Sequence, residues 1–132
     1  MKHVTGLAHV ALYTKDMDAS VKFYEMLGGV VSDQAEVKKP NGTNDIKILH
    51  MPGFFLEIIK PYDESLVTAK GGLFPHIALE VDDVDAVVAE LKAAGVNTFC
   101  APEPISMPIL GGIRNIFFYG PDGEYLELLQ HL

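Results

Sequence analysis

The sequence predicts an α+β fold: two tandem βαβββ modules that form one curved mixed sheet with helices behind it. Two observations carry this prediction. The chain repeats itself at a fixed offset, and each copy opens on an alternating apolar run followed by an apolar stripe of helical spacing. Leu7–Gly28 reads LAHVALYTKDMDASVKFYEMLG, and 67 residues later Phe74–Gly95 reads FPHIALEVDDVDAVVAELKAAG. Eight of these 22 positions are identical, against about one or two expected from average residue usage. The copies also end alike, with Phe54–Ile59 (FFLEII) matching Glu124–Leu129 (EYLELL) at an offset of 70.

The elements follow in order. Leu7–Thr14 and Phe74–Val81 are the opening strands, each polar on only one alternate position. Asp16 and Asp83 are helix N-caps, because a short carboxylate there accepts the free N–H groups of the first turn. Met17, Val21, Tyr24 and Leu27, like Val84, Val88, Leu91 and Ala94, make the buried stripes. Gly28 and Gly95 end the helices in the left-handed conformation. About three short strands follow each helix. The breaks are Pro40-Asn41-Gly42 and Met51-Pro52-Gly53 in the first copy, and Pro102–Pro104, Gly111-Gly112 and Pro121-Asp122-Gly123 in the second. Neither half, at roughly 65 residues, easily buries a sheet face alone. The chain is therefore expected to be a single domain over 1–132, with module one at about 6–61 and module two at about 73–132.

Composition narrows the function. The chain of 132 residues is 48% hydrophobic and 21% charged, which excludes intrinsic disorder. Its formal charge of −8 argues against nucleic acid or an anionic membrane as a partner. A small-molecule substrate is the expectation. One cysteine, Cys100, allows no internal disulfide and suggests a reducing, cytoplasmic compartment. The opening Met1–Gly6 reads as the lead-in to a strand.

Side chains alternate across a strand. His9 therefore shares a face with Ala11 and Tyr13, and His76 with Ala78 and Glu80. Glu57 shares one with Phe55 and Ile59, and Glu127 with Tyr125 and Leu129. Two histidines and two glutamates thus fall at repeat-equivalent positions on the face away from the helices. Glu57 and Glu127 lie in strongly apolar strands, where a carboxylate needs a partner. Lys60 points the other way and Arg114 is the only arginine. A divalent cation held by His9, Glu57, His76 and Glu127 is the economical partner, and nitrogen and oxygen donors suit zinc, nickel, cobalt, manganese or iron(II). His3 and His131 read as solvated, His50 as a strand-end residue, and Cys100 as lacking the neighbours of a nucleophile. Phe55, Phe74 and Tyr125 can wall off water. Gly111-Gly112 is a candidate mobile loop, and Arg114 beside it a candidate for an anionic substrate group, although an exposed arginine at a hairpin turn is the plainer reading.

At these residues the sequence resembles the vicinal oxygen chelate superfamily, also called the glyoxalase/bleomycin resistance/dioxygenase superfamily. The motifs are AHVAL…FYEMLGG, FFLEIIKP, PHIALEVDDVDAVVAELKAAGV and GPDGEYLELL, which span about Gly6 to Gln130. The resemblance implies paired βαβββ modules, a metal on the concave face and a homodimer. The set His9, Glu57, His76 and Glu127 resembles the ligands of bacterial glyoxalase I (lactoylglutathione lyase), which implies one nickel, cobalt or zinc ion per site. It also implies conversion of a methylglyoxal–thiol hemithioacetal to a lactoyl thioester through an enediolate chelated by the metal. Glu127 is then the base and Glu57 its counterpart. Methylmalonyl-CoA epimerase resembles the same set, and two other readings stay open: a non-catalytic antibiotic-binding module and an iron(II) oxygenase. The resemblance breaks at Tyr13 and Pro61, which stand where the arginine and asparagine of the glutathione clamp are expected. Tyr13 remains a candidate substrate contact, and the identity of the thiol stays open.

Overall fold

In the computed structural model of the chain, residues 2–3, 7–68 and 74–132 are described. The chain divides into two compact units, Met1–Thr68 and Ala69–Leu132. Each carries its own four-stranded mixed sheet and one long helix.

In the first unit β1 (Val10–Tyr13) leads into α1 (Met17–Met26). The strands β2 (Val30–Lys39), β3 (Gly42–Met51) and β4 (Phe54–Lys60) follow. The sheet order is β1-β4-β3-β2, with β1 parallel to β4 and the rest antiparallel. The second unit repeats the pattern: β5 (Ile77–Glu80), α2 (Val84–Ala93), β6 (Ile105–Met107), β7 (Ile113–Tyr119) and β8 (Tyr125–His131), in the order β5-β8-β7-β6. The βαβββ pattern is therefore present twice, carried as one sheet per unit.

The local signals act where expected. Asp16 accepts the Ala19 N–H at 3.1 Å and Asp83 accepts the Ala86 N–H at 3.0 Å, which caps each helix. Gly28 and Gly95 have φ of +95° and +98°, a region that other residues enter only at a cost. The helix-facing side of each sheet is the core. In the first unit Leu49, Met51, Leu56 and Ile58 pack under Val21 and Tyr24; in the second, Ile116, Phe118, Leu126 and Leu128 pack under Val84, Val88 and Leu91. The opening strands are shorter than the sequence suggests. Pairing begins at Val10↔Leu56 and Ile77↔Leu126, so His9 and His76 stand one residue ahead of their ladders. The first edge strand of the second unit is also interrupted. It survives as a single bridge, Phe99↔Phe118, and the three-residue β6. Pro102 and Pro104 lie between, and proline supplies no N–H to a ladder.

Candidate metal centre

In the first unit β4 places Glu57 between Ala11 of β1 and Ile48 of β3. Paired residues share a face, so Glu57 lies on the open side, opposite the buried Leu56 and Ile58. His9, two residues before Ala11, reaches the same side. Its Nε2 lies 3.2 Å from Glu57 Oε2, with the imidazole 47% exposed and the carboxylate 19%. Tyr13 and Phe55 share this face and are exposed. His50, paired with Phe55, stacks on it at 4.7 Å.

The second unit repeats the register with a different finish. Glu127 lies between Ala78 of β5 and Phe117 of β7. The His76 ring packs edge-on against Phe117 at 5.2 Å and Tyr125 at 6.2 Å. Tyr125 stacks on Phe117 at 4.8 Å and leans on Tyr119 at 5.0 Å. Burial pushes the Tyr125 phenol above its ordinary pKa, and the neighbouring Cys100 thiol, Tyr119 and Glu127 push the same way. Glu127 is only 7% exposed. Among the described residues its carboxylate accepts one hydrogen bond, from Asn115 Nδ2 at 3.4 Å, and takes part in no ion pair.

The structure thus brings His9 and Glu57 into contact, and puts His76 and Glu127 on one face of the second unit. Phe55 and Tyr125 occupy equivalent positions on the two open faces, while Phe74 is exposed ahead of β5. Arg114 is a correction to the sequence reading. It lies on the helix-facing side of β7, out of step with Asn115 and Phe117, and forks onto Asp85 of α2 at 2.8 and 2.9 Å. That pairing holds the Asp85 carboxyl below its ordinary range. The guanidinium braces helix to sheet and does not face the Glu127 side. Sequence reasoning missed Asn115, Phe117 and Tyr119, and it did not put Cys100 beside Tyr125. The signal was available for the first three: once β7 is paired with β8, period two puts all of them on the face of Glu127.

Among the described residues no three His, Cys, Asp or Glu side chains cluster closely enough to hold a metal by themselves. Each unit instead offers a pair. The donors nevertheless fit a divalent cation of intermediate hardness. Imidazole nitrogens and carboxylate oxygens are its usual ligands, and a nearly buried carboxylate with one amide for company is short of positive charge.

Solved structures share this fold. FosX, a fosfomycin resistance protein from Listeria monocytogenes, is 22% identical with a TM-score of 0.70, covering 98% of this chain and 95% of that one. A glyoxylase/bleomycin resistance protein/dioxygenase domain from Frankia sp. EAN1pec is 20% identical with a TM-score of 0.73, covering 98% and 99%. The sequence agrees with the architecture: residues 6–128 match the family model of the Glyoxalase/Bleomycin resistance protein/Dioxygenase superfamily. The chain belongs to that superfamily. A probable lactoylglutathione lyase from Vibrio cholerae is 30% identical over 132 residues, covering 95% of this chain and 90% of the relative. An uncharacterized Bacillus subtilis protein, YwbC, is 32% identical over 127 residues, covering 92% and 94%. The described residues contain no helix long and apolar enough to cross a membrane.

Proposed function

We propose that this chain is a glyoxalase I-like enzyme in which His9, Glu57, His76 and Glu127 serve as ligands to a divalent cation. In this reading it isomerises a methylglyoxal–thiol hemithioacetal to a lactoyl thioester. The observation that supports it most is the repeat-matched donor set: a His–Glu contact in one unit, and in the other a histidine on the same face as a buried glutamate with no cationic partner among the described residues. The relatives named as probable lactoylglutathione lyases and the FosX structure bound to Mn(II) support it from outside the chain. When bound, the cation supplies positive charge where negative charge develops on the substrate oxygens.

The protein's part is proton transfer. Glu127 takes the proton from the carbon that bears sulfur and hydroxyl, and returns it to the adjacent carbonyl carbon. The hydroxyl proton passes to the former carbonyl oxygen, so bonds and charges balance with no outside reagent. Glu57, whose oxygen touches His9, stays a ligand. Phe117, Tyr119 and Tyr125 exclude water from the carboxylate that moves the proton.

The open-face strand positions around Glu57 and Glu127 are Ile48, Phe55, Ile59, Asn115, Phe117, Tyr125 and Leu129, with no lysine or arginine among them. A phosphonate such as the one bound in the FosX complex would find no fixed cation there, which favours a hemithioacetal over a fosfomycin-like substrate. The same lack, together with Tyr13 and Pro61, opens the reading to thiols other than glutathione.

The test is turnover by protein reconstituted separately with nickel, cobalt, zinc and manganese. Methylglyoxal is offered with glutathione, coenzyme A and small uncharged thiols in deuterated water. Thioester formation, or deuterium entering the substrate, is expected with at least one thiol. Failure of every metal–thiol pair would overturn the proposal, and racemisation of a 2-methylmalonyl thioester without thioester formation would replace it with epimerase chemistry.

A further inference from the structure

The two carboxylates are equivalent in register and unlike in surroundings. Glu57 touches an imidazole and is half-buried. Glu127 is nearly buried and accepts a hydrogen bond from Asn115, itself only 5% exposed. The first unit has no counterpart to this amide. Asn115 pairs with Leu129, two residues beyond Glu127, and the equivalent partner of Ile59 in the first unit is Ile46. Repetition alone therefore does not explain Asn115.

Chemistry fixes which way its amide faces. An ionised carboxylate only accepts, so Nδ2 points at Glu127 and Oδ1 points away. That oxygen is buried and has no hydrogen-bond partner among the described residues. An unsatisfied buried acceptor destabilises the fold, whereas an apolar side chain of similar size, as at Ile46, would not. The one thing gained for this cost is a fixed N–H against Glu127 Oε2.

We infer that Asn115 is a positioning residue for Glu127: its Nδ2–H orients the carboxylate and distinguishes the proton-transferring glutamate from Glu57. The inference rests on the reading of Glu127 as the group that moves the proton.

The test uses the full chain and Mn(II) as probe. Wild type, Asn115→Leu, Asn115→Ala and Asn115→Gln are compared by melting without metal, by Mn(II) affinity and electron paramagnetic resonance line shape, and by steady-state kinetics on whichever hemithioacetal the wild type turns over. Without metal Asn115→Leu is expected to melt near wild type, because loss of the orphaned oxygen offsets loss of the donor to Glu127. Its Mn(II) affinity is expected to weaken about 10-fold and its kcat to fall about 10- to 100-fold with KM little changed, the usual size of outer-shell losses. Asn115→Ala serves if the leucine variant fails to fold, and should show the same losses. Asn115→Gln, which keeps an amide, should recover part of both. Leucine and alanine variants that bind Mn(II) and turn over like wild type would overturn the inference while leaving the function standing. A wild type that neither binds Mn(II) nor transfers a proton would remove both.

Discussion

Replacing Glu127 with glutamine should make the metal-free protein more stable and the metal-loaded protein less so. The wild-type carboxylate is 7% exposed, has one amide partner at 3.4 Å, and faces an asparagine whose Oδ1 is buried without a donor. Glu127→Gln removes the buried charge and keeps an oxygen for Asn115 Nδ2. A buried polar group short of partners costs about 1–3 kcal/mol, and a charged one more, so relief of about 2 kcal/mol is the expected gain. For 132 residues the unfolding entropy is about 0.28 kcal/mol per degree. The melting temperature should then rise about 7 °C if the chain melts as one, and about twice that if Ala69–Leu132 melts separately. Added metal reverses the order. Wild type should gain about 2.7 kcal/mol at a hundredfold excess of cation over its Kd, while the variant, one anionic ligand short, should gain little. Differential scanning calorimetry of chelator-treated and metal-titrated samples reads both effects. A variant that melts below wild type without metal, or that gains as much as wild type with it, would refute the reasoning.

Three further outcomes test the scaffold. Asp16→Ala and Asp83→Ala each remove a helix cap and should cost about 1 kcal/mol, read as a shift in urea midpoint. Gly29→Ala should cost more than Gly95→Ala. A Cβ at Gly29 would sit 2.6 Å from Met51 Sδ and 2.8 Å from the Tyr24 carbonyl oxygen, whereas Gly95, at φ +98°, has nothing within 4 Å. The first should exceed ~2 kcal/mol through overpacking, and the second should cost ~1 kcal/mol through backbone strain. The Arg114–Asp85 pair sets a pH dependence of known sign. Asp85 is held below its ordinary pKa of 3.8 by the Arg114 hydrogen bonds, so its contribution to stability is present above that value and lost as pH falls through the lower, folded one. The denaturation midpoints of wild type and Arg114→Met should therefore differ by a constant amount near neutral pH and converge only below about pH 4.

What the sequence revealed depended on how local its signal was. The caps at Asp16 and Asp83, the glycines at 28 and 95, and the Pro40-Asn41-Gly42 turn each act within a few residues, and each sits where its chemistry says. Glu57 and Glu127 were legible because period two fixes a face within one strand. Arg114 and Asn115 were not. They are neighbours in β7, one turned to the helix and the other to Glu127, and only the pairing of β7 with β8 decides which is which. That register is a long-range property, set by packing Phe118 and Ile116 beneath α2 rather than by residues 113–119 themselves. The spatial neighbour of Cys100 was not legible for the same reason. Cys100 lies far from Tyr125 in the chain and beside it in space.

The parallel pairs β1–β4 and β5–β8 have a consequence for how the protein comes into being. Ala11 meets Glu57 across 46 residues and Ala78 meets Glu127 across 49, whereas β3–β4 and β7–β8 are joined by short turns. Chain entropy must be surrendered before so distant a pairing is rewarded, so the hairpins are expected to form early and the parallel ladders late. His9 and His76 ride on the late strands. A chain paused after its hairpins would hold glutamates without their histidines, and competence to capture a cation would arrive with the late parallel pairing.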